Sequence, residues 1–217
     1  MRKDSVNGAI SEKEAWAWFS KKHKALAQHL RVFEADCRKR QDQGEFWWEL
    51  RPCDYYEYFE HTKIIFPDIA KGPRFHLDSE GFYLANTAYC LSIADKYLLG
   101  VLNSRLFWFA IGNISIPFGM RAGEYRYRLI YQYMEKVPIR VIDQANARDK
   151  ALHEQMVTLV DRVLDLTKKK HSGKLAPSEL DNLERQIAAT DAEIDDSVFK
   201  LYEITAKERE IIEGSNQ

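Results

Sequence analysis

The sequence has only three cysteines, Cys37, Cys53 and Cys90, and no apolar run long enough to span a membrane. Cysteines that are odd in number and lack the short paired spacing of metal ligands are expected to be free thiols in a reducing compartment. Because no signal peptide is present either, we expect a cytoplasmic chain. The formal net charge is −1, so any binding of nucleic acid must depend on a local basic patch.

Several catalytic signatures are also missing. There is no Walker loop, no Gly-x-Gly-x-x-Gly and no Gly-x-Ser-x-Gly elbow around a nucleophile. A metal-dependent nuclease would need an Asp/Glu-x-Lys motif downstream of Pro67-Asp68, and none follows at a suitable distance. A zinc site built from Cys53, His61, His76 and Cys90 lacks paired spacings. We therefore expect no catalytic residue, metal or cofactor in this chain.

The composition does support a folded core, since 45% of the 217 residues are hydrophobic and 12% are aromatic. Ser11-Glu-Lys-Glu14 has the form of a capping box, and the apolar spacing after it predicts one helix to about Arg40. Its other face is basic from Lys21 to Arg40. That face is either solvated or a flank that contacts phosphates.

Residues 45–142 are predicted to form a mixed α/β body. β-Branched and aromatic runs indicate strands at 63–66, 74–77, 82–85 and 88–93. The apolar period over 96–111 predicts one largely buried helix, and three glycines and a proline predict a loop over 112–123.

The segment after this loop alternates tyrosine with arginine. Arg121, Arg126 and Arg128 could donate to guanine edges or phosphates, and Tyr125, Tyr127 and Tyr131 could stack or hydrogen-bond. The alternative is a half-buried strand or helix face whose arginines merely point outward. The pattern alone leaves both interpretations open.

Residues 143–217 change in character. Apolar residues over 152–166 and a nearly heptad seam over 180–201 predict an antiparallel helical hairpin, followed by a short helix capped by Thr205. The expected fold class is α+β: an N-terminal helical segment (1–44), a mixed α/β domain (45–142) and a helical scaffold (143–217). The seam would serve as a scaffold or as the interface of a homodimer.

The order of five segments resembles a known family. They are FWWELRP at 46–52, KIIFPDI at 63–69, FYL at 82–84, LLGVLNSRLF at 98–107 and YMEKVPI at 133–139. Together they resemble the TaqI-like C-terminal specificity domain of adenine-specific DNA methyltransferases, which include restriction-modification and phage-defence enzymes. The Leu-Asn-Ser helix and the closing Val-Pro-Ile also resemble the target-recognition domains of type I specificity subunits.

The resemblance implies that the chain recognises a sequence in double-stranded DNA for a methyltransferase catalytic domain or subunit. The chain has no Asn/Asp-Pro-Pro-Tyr/Phe/Trp motif and no glycine-rich S-adenosylmethionine loop. Methylation, with S-adenosylmethionine as cofactor, is therefore expected of a catalytic domain supplied elsewhere, and this chain alone is not expected to be an enzyme or to contact a membrane.

The predicted DNA-binding residues combine positions carried over from the family with basic and aromatic residues chosen for their chemistry. They are Lys63, Lys71, Arg74, Ser104, Arg105, Arg121, Tyr125, Arg126, Tyr127 and Arg128. The competing hypothesis is a coiled-coil protein-interaction adaptor that does not bind DNA, and a weaker third is the metal-dependent nuclease.

Overall fold

The computed structural model describes residues 11–52, 54–173 and 175–215. The predicted polar lead-in at 1–10 and Cys53 lie outside these residues. Two compact units divide between Tyr56 and Glu57. The division predicted at residues 45 and 143 stays a prediction. Among the helices of the described residues, none combines the length and apolar character needed to cross a bilayer.

The N-terminal unit contains three short helices, α1 (Glu12–Lys22), α2 (Lys24–Arg31) and α3 (Glu34–Cys37). The capping box is confirmed, because the Ser11 amide donates to the Glu14 carboxylate at 3.0 Å and Ser11 Oγ accepts from the Glu14 amide. The prediction of one helix to Arg40 is wrong. His23 leaves helical geometry, with φ −127° and ψ 58°.

Several basic residues of this unit form ion pairs or hydrogen bonds with other groups of the same unit. Arg38 pairs with Glu12 and Glu34, and the guanidinium of Arg40 donates to the backbone carbonyls of Trp47 and Glu49 at 3.0 and 2.7 Å. Protein groups therefore satisfy the charge and hydrogen bonds of both guanidinium groups without any bound phosphate.

The C-terminal unit begins within α4 (Tyr56–Glu60), and a three-stranded antiparallel sheet follows. Its central strand is β1 (Lys63–Pro67), flanked by β3 (His76–Asp78) and β4 (Ala88–Leu91). The strand predicted at 82–85 is wrong, since those residues form no strand. The Asp78 carboxylate accepts from the Glu80 and Phe82 amides at 2.8 and 3.0 Å, so a side chain holds this turn instead of a neighbouring strand.

The helix predicted over 96–111 is two helices, α5 (Lys96–Leu102) and α6 (Arg105–Ile114). The break has a tertiary cause. The Asn103 amide group donates to the Phe75 carbonyl and accepts from the Phe75 amide, both at 3.0 Å, while Ser104 Oγ accepts from the Phe107 amide at 3.2 Å and caps α6.

A second three-stranded sheet follows the order β2–β6–β5, with β2 at Ile69–Ala70, β5 at Pro117–Arg121 and β6 at Glu124–Arg128. The loop predicted over 112–123 is therefore wrong, because α6 continues to Ile114 and a strand follows. A short helix, α7 (Tyr131–Met134), comes next.

The helical hairpin is confirmed as α8 (Ala147–His171) and α9 (Pro177–Leu201), followed by α10 (Ala206–Ser215). The helices are antiparallel, since Arg162 pairs with Glu193 and Lys170 with Glu184. Thr205 caps α10 as expected, its hydroxyl accepting from the Glu208 amide at 3.3 Å. The fold class, α+β, is confirmed.

The apolar core of this unit joins the first sheet to α5, α6 and the helical hairpin. Ile64, Ile111, Leu129 and Val198 are fully inaccessible in it. A Cβ added at Gly100 would lie 2.6 Å from Met156 Sδ, so this glycine allows α5 to approach α8 closely.

A buried ion pair joins the central strand β1 to the edge strand β3. Lys63 and Asp78 are both inaccessible to solvent, Lys63 Nζ pairs with the Asp78 carboxylate, and it also donates to the Phe59 carbonyl at 2.6 Å. Burial of the carboxyl raises its pKa, but the hydrogen bonds from Lys63 and from two backbone amides outweigh this. The pKa of Asp78 therefore lies below its usual value.

This lowered pKa predicts that the fold is less stable in acid. A carboxyl whose pKa is depressed by folding stabilises the protein above its unfolded pKa of about 4 and loses this contribution as pH falls through the folded value. We expect the free energy of unfolding, measured in urea, to fall below about pH 4. Asp78→Asn should be less stable at neutral pH and should show a smaller pH dependence. A pH dependence equal to that of the wild type would contradict the prediction.

Candidate nucleic-acid interface

The feature that projects from the second sheet is the hairpin of β5 and β6, called here the ribbon (residues 117–128). Strand β2 pairs only with Tyr127 and Arg128, at the end of β6 that lies away from the turn. The rest of the ribbon is therefore two-stranded. Every residue of β5 is exposed, and so are the first two of β6. A two-stranded ribbon with little cover is only marginally stable by itself and is suited to insertion into a groove.

The turn of the ribbon is tight. Ala122 and Gly123 connect the paired residues Arg121 and Glu124, and both have positive φ, 54° and 81°. Two positive φ values in a two-residue loop define a type I′ turn, which favours Asn-Gly. Alanine at the first position is strained, because its Cβ disfavours the left-handed region.

This strain predicts that Ala122→Asn will stabilise the ribbon by about 0.5–1 kcal/mol, since asparagine tolerates positive φ. Gly123→Ala should have the opposite effect, because it adds a Cβ where only glycine is unstrained. Native-state hydrogen exchange of the ribbon amides measures both changes. Equal exchange rates in the two variants would show that the turn does not limit ribbon stability.

One face of the ribbon is basic. In β6, Glu124, Arg126 and Arg128 alternate onto one side, and Arg121 joins them because it lies opposite Glu124 in the register. The ring of Phe118 is 5.5 Å from the guanidinium carbon of Arg126 and 5.7 Å from that of Arg128. The aromatic ring therefore holds two cations side by side through cation–π contacts.

The two stacked arginines are also fixed by hydrogen bonds. Arg126 Nη2 donates to the Phe118 carbonyl at 3.2 Å, and Arg128 binds the Asp68 carboxylate through Nε and Nη2 at 3.2 and 2.9 Å. Arg126 Nε is buried and has no hydrogen-bond partner among the described residues. A ligand can therefore meet this guanidinium only through its Nη atoms.

Two further cations lie beside the turn. Lys71 Nζ lies 2.7 Å from Glu124 Oε2, and this hydrogen bond lowers the pKa of Glu124, with a smaller contribution from the charge of Arg74. The five predicted cations Lys71, Arg74, Arg121, Arg126 and Arg128 thus gather on one surface, called here the basic face. Asp68 and Glu124 neutralise only part of their charge.

The tyrosines occupy the other side of the ribbon. Tyr127 packs against Trp108 of α6, with ring centroids 5.6 Å apart, and so anchors the ribbon to the unit. Tyr125 and its partner Met120 are 53% and 56% exposed. Tyr125 is therefore available to a ligand, and Tyr127 has a structural contact instead.

Three of the predicted DNA-binding residues make contacts within the protein. Lys63 is buried in its ion pair, and Ser104 is buried as the cap of α6, so the prediction that they contact DNA is corrected. The Arg105 backbone amide donates to Asp195 at 2.8 Å, and its guanidinium lies 3.2 Å from the same carboxylate. Its contact with DNA stays a prediction.

The sequence reasoning missed Phe118, Asp68 and Glu124. Phe118 lies between a proline and a glycine, in a segment predicted to be a loop. In the sequence, Asp68 is recognisable only as half of a nuclease motif. Among the described residues, no cluster of His, Cys, Asp and Glu could hold a metal ion.

Comparison with known proteins agrees with the resemblance of the sequence segments. None of the curated proteins compared with the chain matches it. The sequence profile of the TaqI-like C-terminal specificity domain matches residues 15–139, which is more than half of the chain and includes the whole basic face. Domains of this family are not themselves catalytic. The chain belongs to the TaqI-like C-terminal specificity domain family.

Proposed function

We propose that this chain is the sequence-recognition domain of an adenine-specific DNA methyltransferase from a restriction-modification or phage-defence system. In this role it holds duplex DNA for a catalytic domain or subunit supplied elsewhere, whose cofactor is S-adenosylmethionine. Family membership supports the role. The observation that carries it is the basic face, where Phe118, Asp68 and a backbone carbonyl hold Arg126 and Arg128 in place.

The chemistry of methylation explains why such a domain is needed. An enzyme that modifies a base within a duplex must rotate the base out of the helix, so the flanking duplex has to be held in register. Phosphate contacts fix this register, and contacts to base edges select the sequence. A two-stranded ribbon fits the major groove of B-DNA.

The surface also has the right distribution of charge. The whole chain has a formal charge of −1, so it offers no general attraction to DNA. On the basic face, five cations stand against the two carboxylates Asp68 and Glu124, so this surface is locally positive. Guanidinium groups that are already oriented lose less conformational freedom when they bind phosphates or guanine.

Binding of the full chain to duplex DNA tests the proposal. We expect fluorescence anisotropy to show binding that weakens between about 50 and 200 mM salt, with log K falling by about 0.9 per neutralised phosphate for each unit of log salt. Failure to bind a random-sequence duplex pool at low salt would contradict the proposed function, and so would an affinity independent of salt.

The competing adaptor hypothesis depends on the heptad seam of α9. In the structure Thr190, Ile194 and Val198 of this seam are buried, and α8 of the same chain is the partner of α9. The C-terminal part of the seam is therefore occupied within the chain, while Leu180, Leu183 and Ile187 are half-buried. The adaptor hypothesis predicts self-association that is lost when Ile187 is replaced by glutamate, together with no affinity for DNA.

A further inference from the structure

We propose that Arg121 and Glu124 together recognise a single G·C base pair in the major groove. This inference rests on the proposed function and makes it more specific. It assigns sequence selection to the end of the ribbon and assigns DNA affinity mainly to the rest of the basic face.

The positions of the two residues support this division. Arg121 and Glu124 are direct partners in the β5–β6 register and flank the type I′ turn. Directly opposed residues of an antiparallel pair place their side chains on the same face, with Cβ atoms about 4.5–5.5 Å apart. Both residues are exposed, and they lie at the end of the ribbon that would reach farthest into a groove.

The donor and acceptor groups of the pair match G·C. Guanine presents two adjacent acceptors, N7 and O6, to the forked guanidinium of arginine, and cytosine presents its N4 amine to a carboxylate. Neither base of an A·T pair offers two adjacent acceptors. Asparagine and glutamine, which bind adenine in a bidentate manner, do not occur anywhere in residues 117–128.

Lys71 prepares Glu124 for this role. Its ammonium group lies 2.7 Å from Glu124 Oε2 and comes from the segment just after β2. The ion pair keeps the carboxylate ionised, so that it can only accept hydrogen bonds. It also offsets the repulsion between Glu124 and nearby phosphates. A free carboxylate at the tip would otherwise oppose DNA binding.

Arg126 and Arg128 differ from Arg121 in being held farther from the turn. Arg126 and Arg128 are stacked on Phe118, and Arg128 is bound by Asp68 close to its pairing with β2. In contrast, no carboxylate in the described part of the chain forms an ion pair with Arg121. Its guanidinium is therefore available for a base edge.

The test is affinity selection from a pool of random duplexes, using the full chain and its Glu124→Gln variant. We expect the wild type to enrich a motif that contains a G·C pair and the variant to lose about tenfold in discrimination at that one position. Its affinity for unselected DNA should be equal or higher, because a negative charge is removed from the interface. Glu154→Gln, an exposed change on α8, is the matched control and should leave the motif unchanged.

A second variant, Arg121→Lys, keeps the charge but loses the guanidinium fork, and it should relax the preference for guanine at the same position. If both variants select the same motif as the wild type, this inference is wrong and the proposed function stands. If the wild type binds DNA without sequence preference, both fail, because the proposed function is sequence recognition. If the wild type binds no DNA at all, both the inference and the proposed function fail.

Discussion

Replacing Lys63 by methionine is expected to lower the free energy of unfolding by about 3–5 kcal/mol, because it leaves a buried carboxylate without its cation. Lys63 and Asp78 are both inaccessible to solvent. Methionine preserves much of the side-chain volume. The loss will therefore reflect the missing charge and hydrogen bonds more than a cavity.

Two further contacts add to the expected cost. The Phe59 carbonyl loses the hydrogen bond it accepts from Lys63 at 2.6 Å. Asp78 cannot become neutral without weakening its contacts to the Glu80 and Phe82 amides, which hold the turn after β3. The pair therefore links α4, β1, β3 and this turn.

Urea denaturation followed by circular dichroism measures the change in stability. Lys150→Met is the matched control, because Lys150 lies 3.9 Å from Glu154 on the exposed surface of α8. Exposed pairs contribute about 0–1 kcal/mol, so this variant should unfold almost as the wild type does. Similar stabilities for the two variants would mean that the buried pair is not a principal support of the fold.

Replacing Arg126 by alanine is expected to weaken duplex binding by about 5- to 150-fold, which corresponds to about 1–3 kcal/mol for one bidentate contact. The guanidinium is held by the Phe118 ring and carbonyl. Its loss removes an oriented cation from the centre of the basic face. If the contact is to a phosphate, the salt slope should also shrink by about one.

Arg162→Ala is the control for this binding experiment. Arg162 is an exposed arginine of α8 that pairs with Glu193, and it lies outside the basic face. We expect its removal to leave DNA affinity nearly unchanged. Equal losses in the two variants would indicate a general effect of net charge and would remove Arg126 from the interface.

The elements that sequence predicted well are those specified by local pattern. The α8–α9 hairpin follows from the apolar spacing of each helix and from the short polar connection between them. The capping boxes at Ser11 and Thr205 are equally local, since each involves residues three apart.

The elements that sequence missed depend on distant contacts. The break between α5 and α6 is stabilised by hydrogen bonds from Asn103 to Phe75, 28 residues away. Strand β5 contains a proline and a glycine and is exposed throughout, so it has no alternation of buried residues by which to recognise it. Its pairing with β6 defines it instead.

In the candidate site, too, the sequence predicted the local pattern and missed the contacts between distant residues. Alternation of arginine and tyrosine indicated a two-sided segment, and the structure places arginines on one side and Tyr127 against Trp108 on the other. Lys63 was misassigned because lysines are rarely buried, and nothing local identifies Asp78, 15 residues away, as its partner.

The most direct test of the proposed contact is hydrogen–deuterium exchange of the full chain with and without saturating duplex DNA. We expect DNA to slow exchange across residues 117–128, because the groove shields the two-stranded ribbon and stabilises its pairing. The α8–α9 hairpin should exchange at the same rate in both states. Unchanged exchange across the ribbon in a formed complex, with protection elsewhere in the chain, would contradict the assignment of this surface to DNA.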